Sequence, residues 1–119
     1  MERLNIIQDI PELRKLVIEN PDLPICVLVN YEVVWDEYAY TYAPSVQAYI
    51  GEILDCEVPH KDGYVFNDRD DLAEHIGYYL EEETDGQELS DEEFEKLVDK
   101  EVEKYEPYWV KAIIVRADN

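Results

Sequence analysis

Tyr108-Trp109-Val110-Lys111-Ala112-Ile113-Ile114-Val115 is the stretch on which the fold turns. Val110, Ala112 and Ile114 would line one side of a strand, opposing Trp109, Ile113 and Val115 on the other. A strand with a polar outer face alternates; this one is nearly uniformly apolar, Lys111 aside, which predicts a place in the interior of a sheet. The natural neighbour is Pro24-Ile25-Cys26-Val27-Leu28-Val29, an equally continuous apolar run. It too reads as a strand buried on both faces and central in the sheet.

Between these two runs the periodicity changes. Tyr38, Tyr40 and Tyr42 alternate within residues 31–42 and predict a strand, and Val46, Ala48 and Ile50 alternate again after Pro44-Ser45. Gly51 is a candidate bulge. Asp62-Gly63 supplies turn chemistry before a short strand at Tyr64-Val65-Phe66, so the middle of the sheet reads as a meander.

Three helices complete the pattern. The first starts at Asp9, with Glu12 three residues on and Pro11 tolerated in the first turn. Ile10, Leu13, Leu16 and Val17 form its apolar stripe, and Asn20-Pro21 ends it. The second is capped by Asn67 or Asp68, turns Leu72, Ile76, Tyr79 and Leu80 to one side, and breaks at Thr84-Asp85-Gly86. The third opens on a Ser90–Glu93 capping box, presents Phe94, Leu97, Val98, Val102 and Tyr105 inward, and stops at Glu106-Pro107. The fold expected is one compact α+β domain over residues 1–119. It has an antiparallel or mixed sheet of about four or five strands covered by three helices.

A chain of 119 residues that is 46% apolar can build a core without disulfides or metals. Cys26 and Cys56 lie in apolar stretches and read as reduced core residues. No 18-residue apolar run is present, and Met1-Glu2-Arg3 does not open a signal peptide. The expected location is the cytoplasm of a bacterial cell.

Charge is the exceptional quantity. Thirty acids against ten bases give −20 and a pI near 4.1. A magnitude of about 2–8 is enough to keep a small domain soluble. The excess adds self-repulsion to the folded state and repels nucleic acid and anionic membranes alike. A basic protein surface is its complement.

Chemistry is hard to find in this sequence. His60 lies in a polar turn and His75 on the second helix, while both cysteines are in strands. Asp68-Arg69-Asp70-Asp71 resembles the start of a calcium loop, but the positions that need glycine and glutamate hold Ala73 and Tyr79. There is no H-E-x-x-H, no C-x-x-C and no glycine-rich phosphate loop. Paired carboxylates are so common that none stands out as an acid/base pair. The expectation is a binding protein, not an enzyme, with no cofactor and no metal.

Residues 67–106 carry seventeen acids against Arg69, Lys96, Lys100 and Lys104. That is −13, about two thirds of the net charge in a third of the chain. Carboxylates three or four positions apart on a helix lie about 5–6 Å from each other. Successive phosphates on one nucleic-acid strand are similarly spaced, so such a row can stand in for them. Glu81, Glu82, Glu88, Asp91, Glu92, Glu95, Asp99 and Glu103 are the expected contact residues there. A second set, Glu32, Trp35, Asp36 and Glu37, lies in the tyrosine-rich segment, where tryptophan and tyrosine suit interface anchoring.

Asn20-Pro21-Asp22-Leu23-Pro24-Ile25 and Asn30-Tyr31-Glu32-Val33-Val34, with the C-terminal Trp109–Val115, resemble small acidic proteins of phages and prophages in Gram-positive bacteria. The resemblance implies a mobile-element setting. Small acidic proteins in that setting often disarm host nucleases, as anti-CRISPR and anti-restriction proteins do. The leading expectation is therefore an acidic mimic of nucleic acid that occupies the basic DNA- or RNA-binding channel of a host defence nuclease such as a CRISPR effector. An immunity or antitoxin-like protein neutralising a basic toxin is the alternative. A phage structural or regulatory protein, monomeric or homodimeric, is a third.

Overall fold

The computed structural model describes residues 1–3, 6–7, 9–30, 40–60, 65–85 and 87–118. Its elements run α1 (Pro11–Glu19), β1 (Ile25–Val29), β2 (Ser45–Leu54), α2 (Arg69–Glu83), α3 (Asp91–Lys104) and β3 (Trp109–Asp118). A 3-10 turn at Glu106–Tyr108 links α3 to β3. The class is α+β, as expected, and the sheet is mixed. Among the described residues it has three strands rather than four or five, in the order β1-β3-β2.

Two compact units make up the chain: residues 1–51 with 111–119, and residues 52–110. β2 and β3 each contribute residues to both.

In the first unit β1 pairs with β3 in parallel, Ile25 beside Ile113 and Val29 beside Ala117. Hydrogen bonds extend the ladder at both ends, from Ile113 N–H to Pro24 O (2.8 Å) and from Asn30 N–H to Ala117 O (2.8 Å). The long apolar stretch does sit in the middle of the sheet: Ala112, Ile113 and Ile114 are consecutive buried residues, so both faces of β3 are covered there. The expectation for β1 is overturned. It is an outer strand of the described sheet, and Ile25, Val27 and Val29 are at least half exposed. Continuous apolarity cannot distinguish a strand covered twice from an edge strand whose second face is apolar and open. Gly51 lies within β2, where a Cβ would fall 2.6 Å from Ile114 Cδ1. This close approach gives the glycine its place.

α1 begins later than expected. Ile10 occupies the N-cap position and Pro11 the first turn, with no side-chain cap. Asp9 instead accepts a hydrogen bond from Arg14 Nη2 at 2.6 Å. Leu13 and Leu16 are half-buried, whereas Val17 is exposed.

The second unit holds the tightest packing. Asp68, one of the two expected caps, accepts from the N–H groups of Asp70 (2.7 Å) and Asp71 (3.4 Å) and starts α2. Leu72, Ile76, Tyr79 and Leu80 then recur on one side and are buried with Leu54 and Phe66. Fully burying a side chain such as Leu72 or Ile76 contributes about 1.5–3 kcal/mol. Ser90 Oγ accepts from Glu93 N–H at 3.1 Å and starts α3, whose Phe94, Leu97, Val98, Val102 and Tyr105 pack against that core. Burial, followed by the charges of Tyr105 and Glu101, pushes the Tyr79 hydroxyl well up from its ordinary value of 10.0.

Two other expectations are corrected or lie outside the description. Tyr40 and Tyr42 belong to an irregular segment and are exposed, so the described part of the tyrosine stretch is not a strand. Tyr31 and Tyr38 lie outside the described residues, as does the Asp62-Gly63 turn. Val65 and Phe66 are not in a strand either, although Leu54 N–H donates to Phe66 O at 3.0 Å.

Candidate docking surface

Residues 52–110 contain twenty-one acids and five bases, a net −16 of the chain's −20. The helical spacing decides where this charge goes. On α3 the inward row of Phe94, Leu97, Val98, Val102 and Tyr105 takes one side. Glu92, Glu95, Asp99 and Glu103 step by three, four and four residues and form one line on the remaining side. Lys96, Lys100 and Lys104 step by four and form a second line. The exposed half of α3 is thus divided into an acidic ridge and a basic one. All four acids of the ridge are exposed. Within α3 the ion pairs among the described residues are Lys96–Glu92 at 3.5 Å and Lys104–Glu101. Glu95, Asp99 and Glu103 have no such partner there.

The turn between the helices is more acidic still. Residues 81–93 hold Glu81, Glu82, Glu83, Asp85, Glu88, Asp91, Glu92 and Glu93 and no base. Every one of these eight side chains is exposed. Their placement divides them into two kinds. Asp91, Glu92 and Glu93 occupy the first turn of α3, where the positive end of the helix dipole stabilises them. Glu81, Glu82 and Glu83 occupy the last turn of α2, where that dipole is negative and a base would be favoured. The first three have a reason in helix stability. The second three act against it.

All eight contact residues expected between Glu81 and Glu103 are therefore presented to solvent by α2, the turn and α3. Glu83, Asp85 and Glu93, in the same charge run, are exposed as well. Glu32, Trp35, Asp36 and Glu37 lie outside the described residues.

An aromatic component absent from the sequence reading is Tyr78. Its neighbour Tyr79 is buried, and Tyr78 points to the opposite side of α2, 64% exposed, with its hydroxyl donating to Glu74 Oε1 at 3.3 Å. It borders a shallow cleft of about 250 Å³ with Val65, Phe66, Asp71, Glu74 and His75. The signal was its spacing, two positions past Ile76 and four past Glu74, which leaves it off the buried stripe.

Both histidines contact aromatic rings. His75 Nε2 lies 2.7 Å from Pro59 O, so this nitrogen carries the proton, and its ring contacts Phe66 and Tyr79. His60, in a left-handed backbone conformation with φ 63°, meets Tyr79 at 5.5 Å. Neither Cys26 nor Cys56 is in a disulfide and both are half-buried; Cys26 lies in β1, whereas Cys56 follows β2 in a bend rather than a strand, and burial, with Asp55 adding to it, pushes its thiol up. Among the described residues no group of three or more His, Cys, Asp or Glu side chains converges to hold a metal ion. No described helix is long and apolar enough to cross a membrane.

No protein-family model, no curated protein and no solved structure matches this chain.

Proposed function

We propose that this chain is a binding protein whose α2–turn–α3 segment docks on a basic protein surface of the kind that otherwise holds nucleic-acid phosphates. The observation that carries this reading is the exposed Glu81–Glu83 run at the negative end of α2, where carboxylates cost helix stability. Charge kept at an unfavourable position points to a use beyond solubility. The α3 ridge supports it. Glu92, Glu95, Asp99 and Glu103 form a row of carboxylates at about 5–6 Å intervals, and the lysines of the helix fall on a separate line. A channel lined with lysine and arginine gains much of its affinity from neutralising phosphates, and a preformed acidic row offers similar attraction. Tyr78 supplies contact area with few torsions to immobilise.

The resemblance to phage and prophage proteins directs the first trials to host defence nucleases, CRISPR effectors among them. The experiment is competition binding of the chain and a DNA duplex to such a nuclease across a salt series. Binding that weakens steeply with salt and excludes DNA is the expected result. The triple variant Glu92→Lys, Glu95→Lys, Asp99→Lys should bind at least tenfold more weakly while keeping its helical circular dichroism. Salt-insensitive binding that leaves DNA access unchanged would reject phosphate mimicry.

A further inference from the structure

The cleft beside Tyr78 offers chemistry that a row of carboxylates does not. Val65, Phe66 and the rings of His75 and Tyr78 line it together with two carboxylates, Asp71 and Glu74. Its volume is about 250 Å³. Pockets that enclose small molecules run to roughly 300–1,000 Å³, so this one suits a single long side chain.

Its position joins it to the acidic run. Asp71, Glu74 and Tyr78 follow one another on α2 at steps of three and four residues, and Glu81 and Glu82 continue the row. The buried residues Leu72, Ile76, Tyr79 and Leu80 take the opposite side of the helix.

Carboxylates beside an exposed ring select a cation. Among the described residues no lysine or arginine pairs with Asp71 or Glu74. The Tyr78 hydroxyl donates to Glu74 Oε1 at 3.3 Å and keeps that carboxylate next to the ring. A bare metal ion needs more oxygen ligands than two carboxylates give, and it would leave the rings unused. Arginine uses the whole cleft. Its stem lies on apolar surface, its flat face stacks on a ring and its fork of donors matches carboxylates, where lysine brings a strongly hydrated point charge. The chain itself holds a guanidinium by this combination, since Arg69 lies over the Trp109 ring and donates to Glu52 and Glu106.

We propose that the cleft takes an arginine side chain of the basic partner, held by Asp71, Glu74 and the Tyr78 ring. This rests on the reading of α2–turn–α3 as a docking segment and names the group that its α2 side receives.

The probe is N-acetyl-arginine amide, titrated into the isotope-labelled full chain and followed by NMR, with N-acetyl-lysine amide as a probe of equal charge. Shifts should centre on residues 65–66 and 71–78, and arginine should bind more tightly than lysine. Tyr78→Ala should weaken arginine binding about threefold, the size of an exposed contact between a cation and a ring. Glu74→Gln should weaken it by about the same factor. Tyr78→Phe keeps the ring and should bind nearly as the wild type does. Tyr78 and Glu74 are exposed, and circular dichroism checks that the variants fold. Glu92→Lys/Glu95→Lys/Asp99→Lys should leave the arginine shifts in place at roughly 0.15 M salt, where exposed charges more than about 8 Å apart are largely screened. Shifts that are equal for both probes and spread over the acidic surface, or arginine binding indifferent to Tyr78→Ala, overturn the proposal and leave the α3 ridge untouched. Failure to exclude DNA from a basic partner counts against the docking reading instead, and the free arginine probe does not depend on that result.

Discussion

The guanidinium carbon of Arg69 stands 4.6 Å from the centre of the Trp109 ring, and the same group holds two carboxylates. Nη1 and Nη2 donate to the two oxygens of Glu52 at 2.9 and 3.1 Å, while Nη2 and Nε donate to Glu106 at 2.8 and 3.3 Å. One planar cation at the start of α2 thereby ties together the end of β2, the 3-10 turn and the start of β3. Lysine has the charge but neither the fork nor the flat face. Arg69→Lys should therefore lower Tm by several degrees in a thermal melt, nearly as far as Arg69→Ala. If the Arg69→Lys variant melts with the wild type, charge alone suffices and the stacked, two-carboxylate geometry adds nothing.

The same group sets an acid response. Hydrogen bonding to Arg69 holds the Glu106 carboxyl below its ordinary value of 4.5. A depressed carboxylate contributes stability that is whole above its unfolded value and is lost as pH falls through its folded one. Neutralising part of the −20 works the other way and relieves repulsion as pH drops from 7. Denaturant titrations should show stability rising toward pH 5 and falling below about 4.5. Arg69→Ala should keep the rise and show a shallower fall. Parallel curves below pH 4.5 would mean that this ion pair is not the acid-sensitive contact.

Gly51 gives a sharper packing test, because one atom, Ile114 Cδ1, stands far closer to its missing Cβ than the next, Tyr49 Cε2 at 3.3 Å. Alanine there would bring carbon within 2.6 Å of Ile114 Cδ1, and Ile114 is fully buried and cannot swing aside freely. Gly51→Ala should cost about 1–3 kcal/mol by overpacking. Ile114→Val removes the Cδ1 methyl and alone should cost about 0.5–1.5 kcal/mol through the cavity it leaves. Combined, the two should cost less than their sum by denaturant unfolding. Strict additivity would show that the contact is not what excludes a side chain at position 51.

The elements legible in the sequence were those with local chemical marks. Ser90 and Asp68 cap the helices that they announce, and the spacing of Leu72, Ile76, Tyr79 and Leu80 names the buried side of α2. Ala112, Ile113 and Ile114 carry the central strand openly, because only a strand covered on both faces is apolar at consecutive positions and also fully buried. β1 shares that composition and sits at the edge of the described sheet, since which side of a strand is covered depends on elements distant in the chain. Asp9 misled for a related reason: its carboxylate had two available donors, the first N–H groups of α1 and Arg14, and the guanidinium took it. For the acidic segment, the sequence could count charges and space them along a helix. The Thr84-Asp85-Gly86 break and the Ser90 cap already marked which helix end each acid loads, and the bounds of α2 and α3 agree with both.

That end effect separates charge that serves folding from charge that serves a partner. Glu82 and Glu83 sit in the last turn of α2 and meet both a negative helix end and each other's repulsion. Replacing both with lysine should raise Tm by a few degrees at low ionic strength, and the gain should shrink in high salt. The matching change at Asp91 and Glu92, in the first turn of α3, should lower Tm instead, because lysine there opposes the dipole. Docking should respond differently: both pairs of substitutions should weaken binding to a basic partner, since both remove carboxylates from the same acidic run. A variant that is more stable and binds less is the signature of residues retained for recognition. Should the Glu82→Lys/Glu83→Lys change stabilise the chain and leave binding as it was, the α2 end of the run is not in contact, and docking rests on the α3 ridge alone.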